Sequence, residues 1–491
     1  MLQSSEPPKL PKRVIDISSS QVRLHETDNE FENYVCLSHC WGPIKPSCRT
    51  TSETYASNQI CIGWDTLPTT FRDAIDFTRR LGFRYIWIDS VCIIQDNLTD
   101  WAEQSATMAS IYENAYVTLC ATASLNDHFG CYYDVPSCWR EEKLQVAKRD
   151  GKKYEVYIRF DLEKQHVPAW HDALGGRNAT RFPLMARAWT YQERLLSRRL
   201  VHFMKGEIMW ECSELSDCQC TQGDMEKRSP FMQYHSSKAY HRQAIQSTDR
   251  KTVEKYWNDI IFAYSGLHLT LDKDKLPALS GVAKQMLSIR PGDEYLAGLW
   301  KKTILSDLRW CLWGENSKRP AKYRSPSWSW ASIDGIFNIE YYDANSKSAI
   351  NDHANCVDVS ITPAGADSTG EVSSGYLVLD APTQIATLKD NPDSRGSWDK
   401  WSLEAGSLAV NFKPDCKADF AVGSLKIGEK LLCLRLGESQ GSSDMCLVLK
   451  QRGVEGATPL YQRVGCVKHK REELEKNWFN LGKENIQVKI I

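Results

Sequence analysis

Between residues 34 and 122 three short apolar segments alternate with two amphipathic ones, and no other feature of the chain restricts its fold as much. The first, residues 34–42, is a β-prone run closed by Gly42 and Pro43, which reads as a buried strand. The second, residues 85–89, stays apolar until Asp89, as a strand covered on both faces does. The third covers residues 116–122. Residues 66–81 intervene as a helix that sets Phe71, Ala74, Ile75 and Leu81 on one face, with Gly82 as its stop. A second helix has Asp100 as candidate N-cap and carries Trp101, Gln104, Met108, Ile111 and Tyr112 at spacings of three or four. Parallel strands joined by right-handed crossovers satisfy this order most economically. The expectation is an α/β N-terminal domain with a parallel sheet. Ligands of such sheets sit beyond the carboxyl ends of the strands, here Ser38 to Trp41, Asp89 to Cys92, and residues 123–124.

The remaining text divides by pattern. Residues 1–30, rich in proline, serine and charge, read as a lead-in whose segments 14–17 and 22–24 can add edge strands. The α/β domain is expected over 31–200, with a helical block at 187–197 near its end. Residues 201–345 read as an α-rich middle region. Residues 346–491 read as a β-rich C-terminal module, from alternating runs at 376–379, 431–436, 445–449 and 464–467 separated by glycine, serine and aspartate.

Composition excludes several roles. Lysine plus arginine number 61 against 62 aspartate plus glutamate, so the chain lacks the basic excess of a nucleic-acid binder. No run approaches the ~18 apolar residues of a membrane helix, so no membrane span is expected. The N-terminal text has no apolar core of a secretory signal, which points to a cytoplasmic protein. There the 17 cysteines are expected as reduced, mostly buried thiols. The 17 tryptophans are the unusual feature. Trp300, Trp310, Trp313, Trp328 and Trp330 either line an apolar pocket or act as aromatic packing.

Ordered blocks then carry a family resemblance. Tyr34, Leu37, Ser38, Trp41 and Gly42 are followed by Leu67, Pro68, Asp73 and Ala74. Next come Gly82, Tyr85 to Asp89, Cys92, Ile93 and Gln95, and then Gln104, Met108, Ile111, Tyr112 and Ala115. Together they resemble the heterokaryon-incompatibility (HET) domain of filamentous fungi, and the blocks 187–194 and 326–331 resemble flanking segments of its full-length members. The resemblance implies an intracellular protein of non-self recognition and regulated cell death. It also implies a distant likeness to Toll/interleukin-receptor domains, some of which cleave NAD while others only assemble. Family members among secondary-metabolite genes leave a biosynthetic enzyme open, and a non-catalytic scaffold is the third alternative. A homo-oligomer, a separate partner protein and a small-molecule ligand all remain open as partners, and no cofactor is assigned.

The chemistry expected of the site rests on two carboxyl groups. Asp89 can orient a ribose hydroxyl or stabilise positive charge developing at a sugar carbon; alternatively it caps the following turn. Glu193 stands in an aromatic block where desolvation makes a general acid; alternatively it forms a buried pair with Arg187 or Arg194. Of the two, Asp89 is expected ionised and Glu193 protonated. Ser38, Trp41, Cys92 and Gln95 are the binding candidates at the same edge, joined by Trp189 and Tyr191. Ser38 and His39, adjacent on one strand, point to opposite faces and make no nucleophile–base pair, whereas Cys92 with His39 is a weaker candidate for one. Cys212, Cys218 and Cys220 lack a second close cysteine pair, so no metal site is assigned to them.

Overall fold

The computed structural model describes residues 6–42, 46–134, 137, 140, 142–147, 151–158, 182–219, 238–314, 316–339, 352–391, 394, 400–439, 443–479 and 485–491. The chain forms two compact units, residues 1–243 and 244–491.

The first unit is built on an eight-stranded sheet. Its strands are β1 (Arg13–Asp16), β2 (Arg23–Glu26), β3 (Tyr34–Ser38), β4 (Tyr85–Ile88) and β5 (Val117–Cys120). A separate hairpin, β6 (Glu142–Ala147) with β7 (Lys153–Ile158), precedes β8 (Arg199–Phe203), β9 (Ile208–Cys212) and β10 (Ser216–Cys218). The sheet order is β10-β9-β8-β5-β3-β4-β1-β2. The pairs β3–β4, β3–β5 and β5–β8 are parallel, and every residue of β3, β4 and β5 is buried, as their continuous apolar text requires. The parallel sheet expected from the sequence is therefore corrected to a mixed one, parallel at its centre and antiparallel toward both edges. Connections too short for a crossover join β1 to β2 and β8 through β9 to β10, and such neighbours can pair only antiparallel. The lead-in text supplies β1 and β2 at one edge. A division at 200/201 passes through β8.

Among the described residues, the helices packed on this frame include α1 (Tyr55–Ile60), α2 (Thr69–Arg80), α3 (Asp89–Cys92, a single turn), α4 (Leu98–Asn114) and α5 (Ala188–Leu196). Helix α2 buries Phe71, Ala74 and Ile75. It ends in a Schellman turn, in which Gly82 N–H donates to Arg79 O and Phe83 N–H to Thr78 O. Gly82 holds φ +80° there, a left-handed conformation open to glycine at no steric cost. Leu81, expected on the apolar face, is the exposed C-cap. The N-cap of α4 is Asn97, whose side chain accepts from Thr99 and Asp100 N–H, not Asp100 as the spacing suggested. Asp100 is used elsewhere: it pairs with buried Arg13 and accepts from Ile94 N–H, tying α4 to the β1 edge.

The second unit joins helices Arg250–Ser265 and Pro277–Ser288 to a β-rich region. Six of its strands close into an antiparallel barrel: Thr383–Asp390, Trp401–Ala405, Leu408–Pro414, Lys430–Ser439, Ser443–Glu455 and Thr458–Lys470. Trp300, Trp310, Trp328 and Trp330 are fully buried within this unit, while Trp313 is exposed. Gly298 explains part of that packing. Its carbonyl accepts from the indole N–H of both Trp257 and Trp330, and its φ is +99°. Among the described residues no helix is long and apolar enough to cross a membrane.

The two glycines separate strain from collision. A Cβ on Gly82 meets nothing within 4 Å, so Gly82→Ala carries only the left-handed cost, about 1 kcal/mol. A Cβ on Gly298 falls 2.6 Å from the Trp330 indole nitrogen, so Gly298→Ala adds displacement of a buried ring and costs clearly more. Chemical denaturation of both variants checks the order; equal losses would disprove the collision.

Candidate functional site

The register of the central strands builds the site. Leu37 faces Ile88 across the β3–β4 pair, so Ser38 and Asp89 leave the sheet at the same level and the same end. Ser38 faces Cys120 on the other side. That end is the carboxyl edge, where the following residues turn away and free their side chains.

Asp89 opens α3 and is the accessible carboxylate, its side chain 19% exposed. Its Oδ2 accepts from the Trp41 indole N–H at 3.0 Å and its Oδ1 from Ser90 N–H at 2.6 Å. Both oxygens act as acceptors, the role an ionised carboxylate fills. The Ser90 contact lies one residue on, not the two of an Asx turn, and Ile88 rather than Asp89 is the N-cap of α3.

Glu193 comes from the middle of α5, which packs against α4. It is 6% exposed, and its Oε2 accepts a 2.5 Å hydrogen bond from Ser38 Oγ. Burial pushes its carboxyl up to about 7; the Ser38 hydrogen bond opposes this, the nearby Asp89 charge adds to it, and Arg187 and the Tyr112 hydroxyl oppose it. The ion pair with Arg187 or Arg194 that the sequence left open is not what holds it. Arg194 donates to Glu211 through Nε at 2.7 Å and Nη2 at 2.8 Å, and Arg187 donates to the backbone carbonyl of His39. Glu211 also faces His202 Nε2 at 3.2 Å. Burial works against the charge of Glu211, but Arg194 and His202 outweigh it and hold the carboxyl well below the usual range.

Other candidates serve the scaffold. Gln95 donates its side-chain amide to the carbonyls of Asp89 at 3.1 Å and Ile93 at 3.0 Å, which fastens the α3 turn. Cys92 is buried, and burial pushes its thiol up to about 12, so it is not the thiolate a nucleophile requires. His39, its candidate base, hydrogen-bonds to no described residue, Cys92 included. Trp189 lies half-buried against the core of the sheet, and Tyr191 is buried. Cys212 ends β9 and Cys218 ends β10, while Cys220 lies outside the described residues. Among the described residues no three potential metal ligands gather.

Three residues of this edge were not singled out as binding candidates: Tyr112, His39 and Arg187. Tyr112 was assigned to the apolar face of α4, and its hydroxyl is the part that matters. Arg187 was one of two partners left open for Glu193, and its guanidinium donates to the backbone carbonyl of His39. Nothing in the spacing of either residue signals those roles.

The raised carboxyl of Glu193 has a definite consequence for stability. Its folded value of about 7 exceeds the ordinary 4.5, so the folded state holds this proton more tightly than the unfolded state. The associated stabilisation is complete below pH 4.5 and is lost as pH rises through 7, to the extent of about 3 kcal/mol. Glu193→Gln stays neutral throughout. The variant is expected to gain stability relative to wild type between pH 5 and 8, measured by denaturation at each pH. Parallel curves would refute the assignment.

Residues 34–193 match the family model described as heterokaryon incompatibility protein (HET). No curated protein and no solved structure matches the chain. The matched span opens on the first residue of β3 and closes on Glu193, so it encloses every residue of the edge described above, from Ser38 through Asp89 and Tyr112 to Arg187. The chain therefore carries, over residues 34–193, a region that matches the HET domain.

Proposed function

We propose that this protein is a fungal heterokaryon-incompatibility effector of the cytoplasm, whose HET domain hydrolyses the N-glycosidic bond of NAD at the edge formed by Asp89, Ser38 and Glu193. The observation that supports this reading is the contrast between two carboxyl groups at one sheet end. Asp89 is accessible and accepts at both oxygens, whereas Glu193 is enclosed and raised to about 7. Paired carboxyls in unlike environments divide the labour of glycosidic cleavage. The distant likeness to Toll/interleukin-receptor domains implied by the resemblance points the same way.

The chemistry assigns each group a step. As the ribose C1′–nitrogen bond breaks, its electron pair neutralises the pyridinium ring, so nicotinamide leaves without needing a proton. Positive charge develops on the ribose, and the Asp89 carboxylate stabilises it. Water then attacks C1′ and must lose a proton. Ser38 Oγ already donates to Glu193, so the hydroxyl can take that proton and pass its own to the carboxylate. A base with a value near 7 suits this task at neutral pH. Glu193 thus serves as base rather than as the general acid expected from the sequence, because a pyridinium leaving group makes no demand for one.

Incubation of the purified chain with NAD, followed by mass spectrometry, is expected to yield nicotinamide and ADP-ribose. Asp89→Asn should lower turnover about 100-fold or more. Glu193→Gln should lower it to a similar degree with thermal stability retained at neutral pH. Wild-type turnover should rise with pH through about 7, as a base of that value loses its proton. Failure of the wild-type chain to release nicotinamide would defeat the reading. Loss of folding in Glu193→Gln would make Glu193 a structural pin instead.

A further inference from the structure

His39 stands one residue beyond β3 and is 3% exposed. Both ring nitrogens are buried, and neither has a hydrogen-bond partner among the described residues. Leaving a buried donor or acceptor unsatisfied costs about 1–3 kcal/mol. The ring meets Phe71 edge-on, with centroids 5.0 Å apart, so a phenyl group would suit this apolar wall better. An imidazole here is thus a local loss of stability, and such losses concentrate at functional positions. The direction in which the ring faces gives the loss its meaning: Nδ1 lies 3.8 Å from Oδ1 of Asp89.

That separation is just beyond the ~3.2 Å reach of an N–H···O bond. Closing it would take a movement of the Asp89 carboxylate toward the ring. Oδ1 already accepts from Ser90 N–H, and a carboxylate oxygen has a second lone pair for another donor. The His39 main chain is itself anchored, since Arg187 donates to its carbonyl. The charged groups that face the ring are Asp89, Arg187 and Asp127. Burial lowers the affinity of the imidazole for a second proton, Asp89 and Asp127 oppose that, and Arg187 adds to it, so the ring remains neutral and carries one N–H.

We propose that His39 is a positioning residue for Asp89, donating its Nδ1–H to Oδ1 once substrate draws the carboxylate toward the ribose, while Trp41 keeps Oδ2. The functional half of this proposal rests on the NAD reading; the placement of the proton does not. With Trp41 on one oxygen and His39 on the other, the carboxylate plane is fixed and its charge is supported from both sides. Removal of the Nδ1–H takes away that second donor and leaves the carboxylate plane held from one side only.

The first test uses the full chain labelled with 15N-histidine. His39 is expected to show the Nδ1–H tautomer from pH 6 to 8, with a resonance that moves in Asp89→Asn. An Nε2–H tautomer, or a resonance indifferent to Asp89→Asn, overturns the proposal whether or not the protein cleaves NAD. The second test compares His39→Phe with His39→Asn, whose amide N–H can stand near the position of Nδ1. His39→Phe should leave thermal stability equal or higher and lower NAD turnover on the order of 10-fold. His39→Asn should restore part of the lost turnover. Unchanged turnover in His39→Phe, beside an inactive Asp89→Asn, also overturns the proposal. Absence of NAD cleavage in wild type defeats the reaction alone and leaves the labelling experiment to decide the tautomer.

Discussion

Two neighbouring residues of one buried helix carry opposite charges and do not neutralise each other. Glu193 and Arg194 are adjacent in α5, and both are buried. Consecutive helical residues diverge by about a third of a turn, so each must find a partner in a different direction. Arg194 finds Glu211 on β9 in a two-pronged pair, and Glu193 accepts from the Ser38 hydroxyl at the strand end. Because Arg194 is committed to Glu211, Glu193 forms no ion pair among the described residues, and burial keeps its proton available to exchange near neutrality. A buried Lys238 completes the arrangement by donating to the carbonyls of Arg194 and Leu195 at 3.0 and 2.8 Å, the positions where the α5 backbone runs out of internal donors. The position of α5, and with it the state of Glu193, follows from this network.

The sheet supplies the other half. Parallel neighbours in register bring Ser38 and Asp89 to one level, and the turn after β4 begins with Asp89 itself. The carboxylate oxygens are divided between a backbone N–H of that turn and the indole of Trp41, which comes from the loop after β3. Two consecutive strands thus share one carboxylate at their common end. This is the physical content of the rule that ligands gather at carboxyl edges of such sheets: chain direction makes strand ends converge, and the departing backbone leaves N–H groups and side chains without partners in the sheet.

What the sequence revealed and what it concealed follow from that distinction. The three buried parallel strands announced themselves by unbroken apolar text, and the meeting of Ser38 with Asp89 followed from their polarity and spacing. The antiparallel additions β1 and β2 were visible as short segments of the lead-in, whereas β10 was not read as a strand, and the direction of such additions depends on connection length, which periodicity does not report. Asp100 looked like a cap because it opens an amphipathic run, yet Asn97 occupies that place and Asp100 answers Arg13, 87 residues away. Pairings of that sequence separation leave no local signature. The destination of Arg194 was concealed for the same reason, since Glu211 lies on a strand that reads like any other.

Cys92 and Gln95 show how a polar residue near a strand end can mislead. Both stand where a ligand would be met, and both are consumed by the architecture: the Gln95 amide fastens carbonyls of the α3 turn, and the Cys92 thiol is sealed in the core. Proximity to the edge is therefore a weak criterion, whereas unspent hydrogen-bonding capacity is a strong one. Applied to this edge, the stronger criterion passes over the residues with the most suggestive chemistry. It selects an accessible carboxylate with lone pairs remaining, a proton shared between Ser38 and Glu193, and an imidazole that satisfies neither nitrogen within the fold. Asp89 and His39 follow the ends of β4 and β3, and α5 brings Glu193 to the same edge through Ser38.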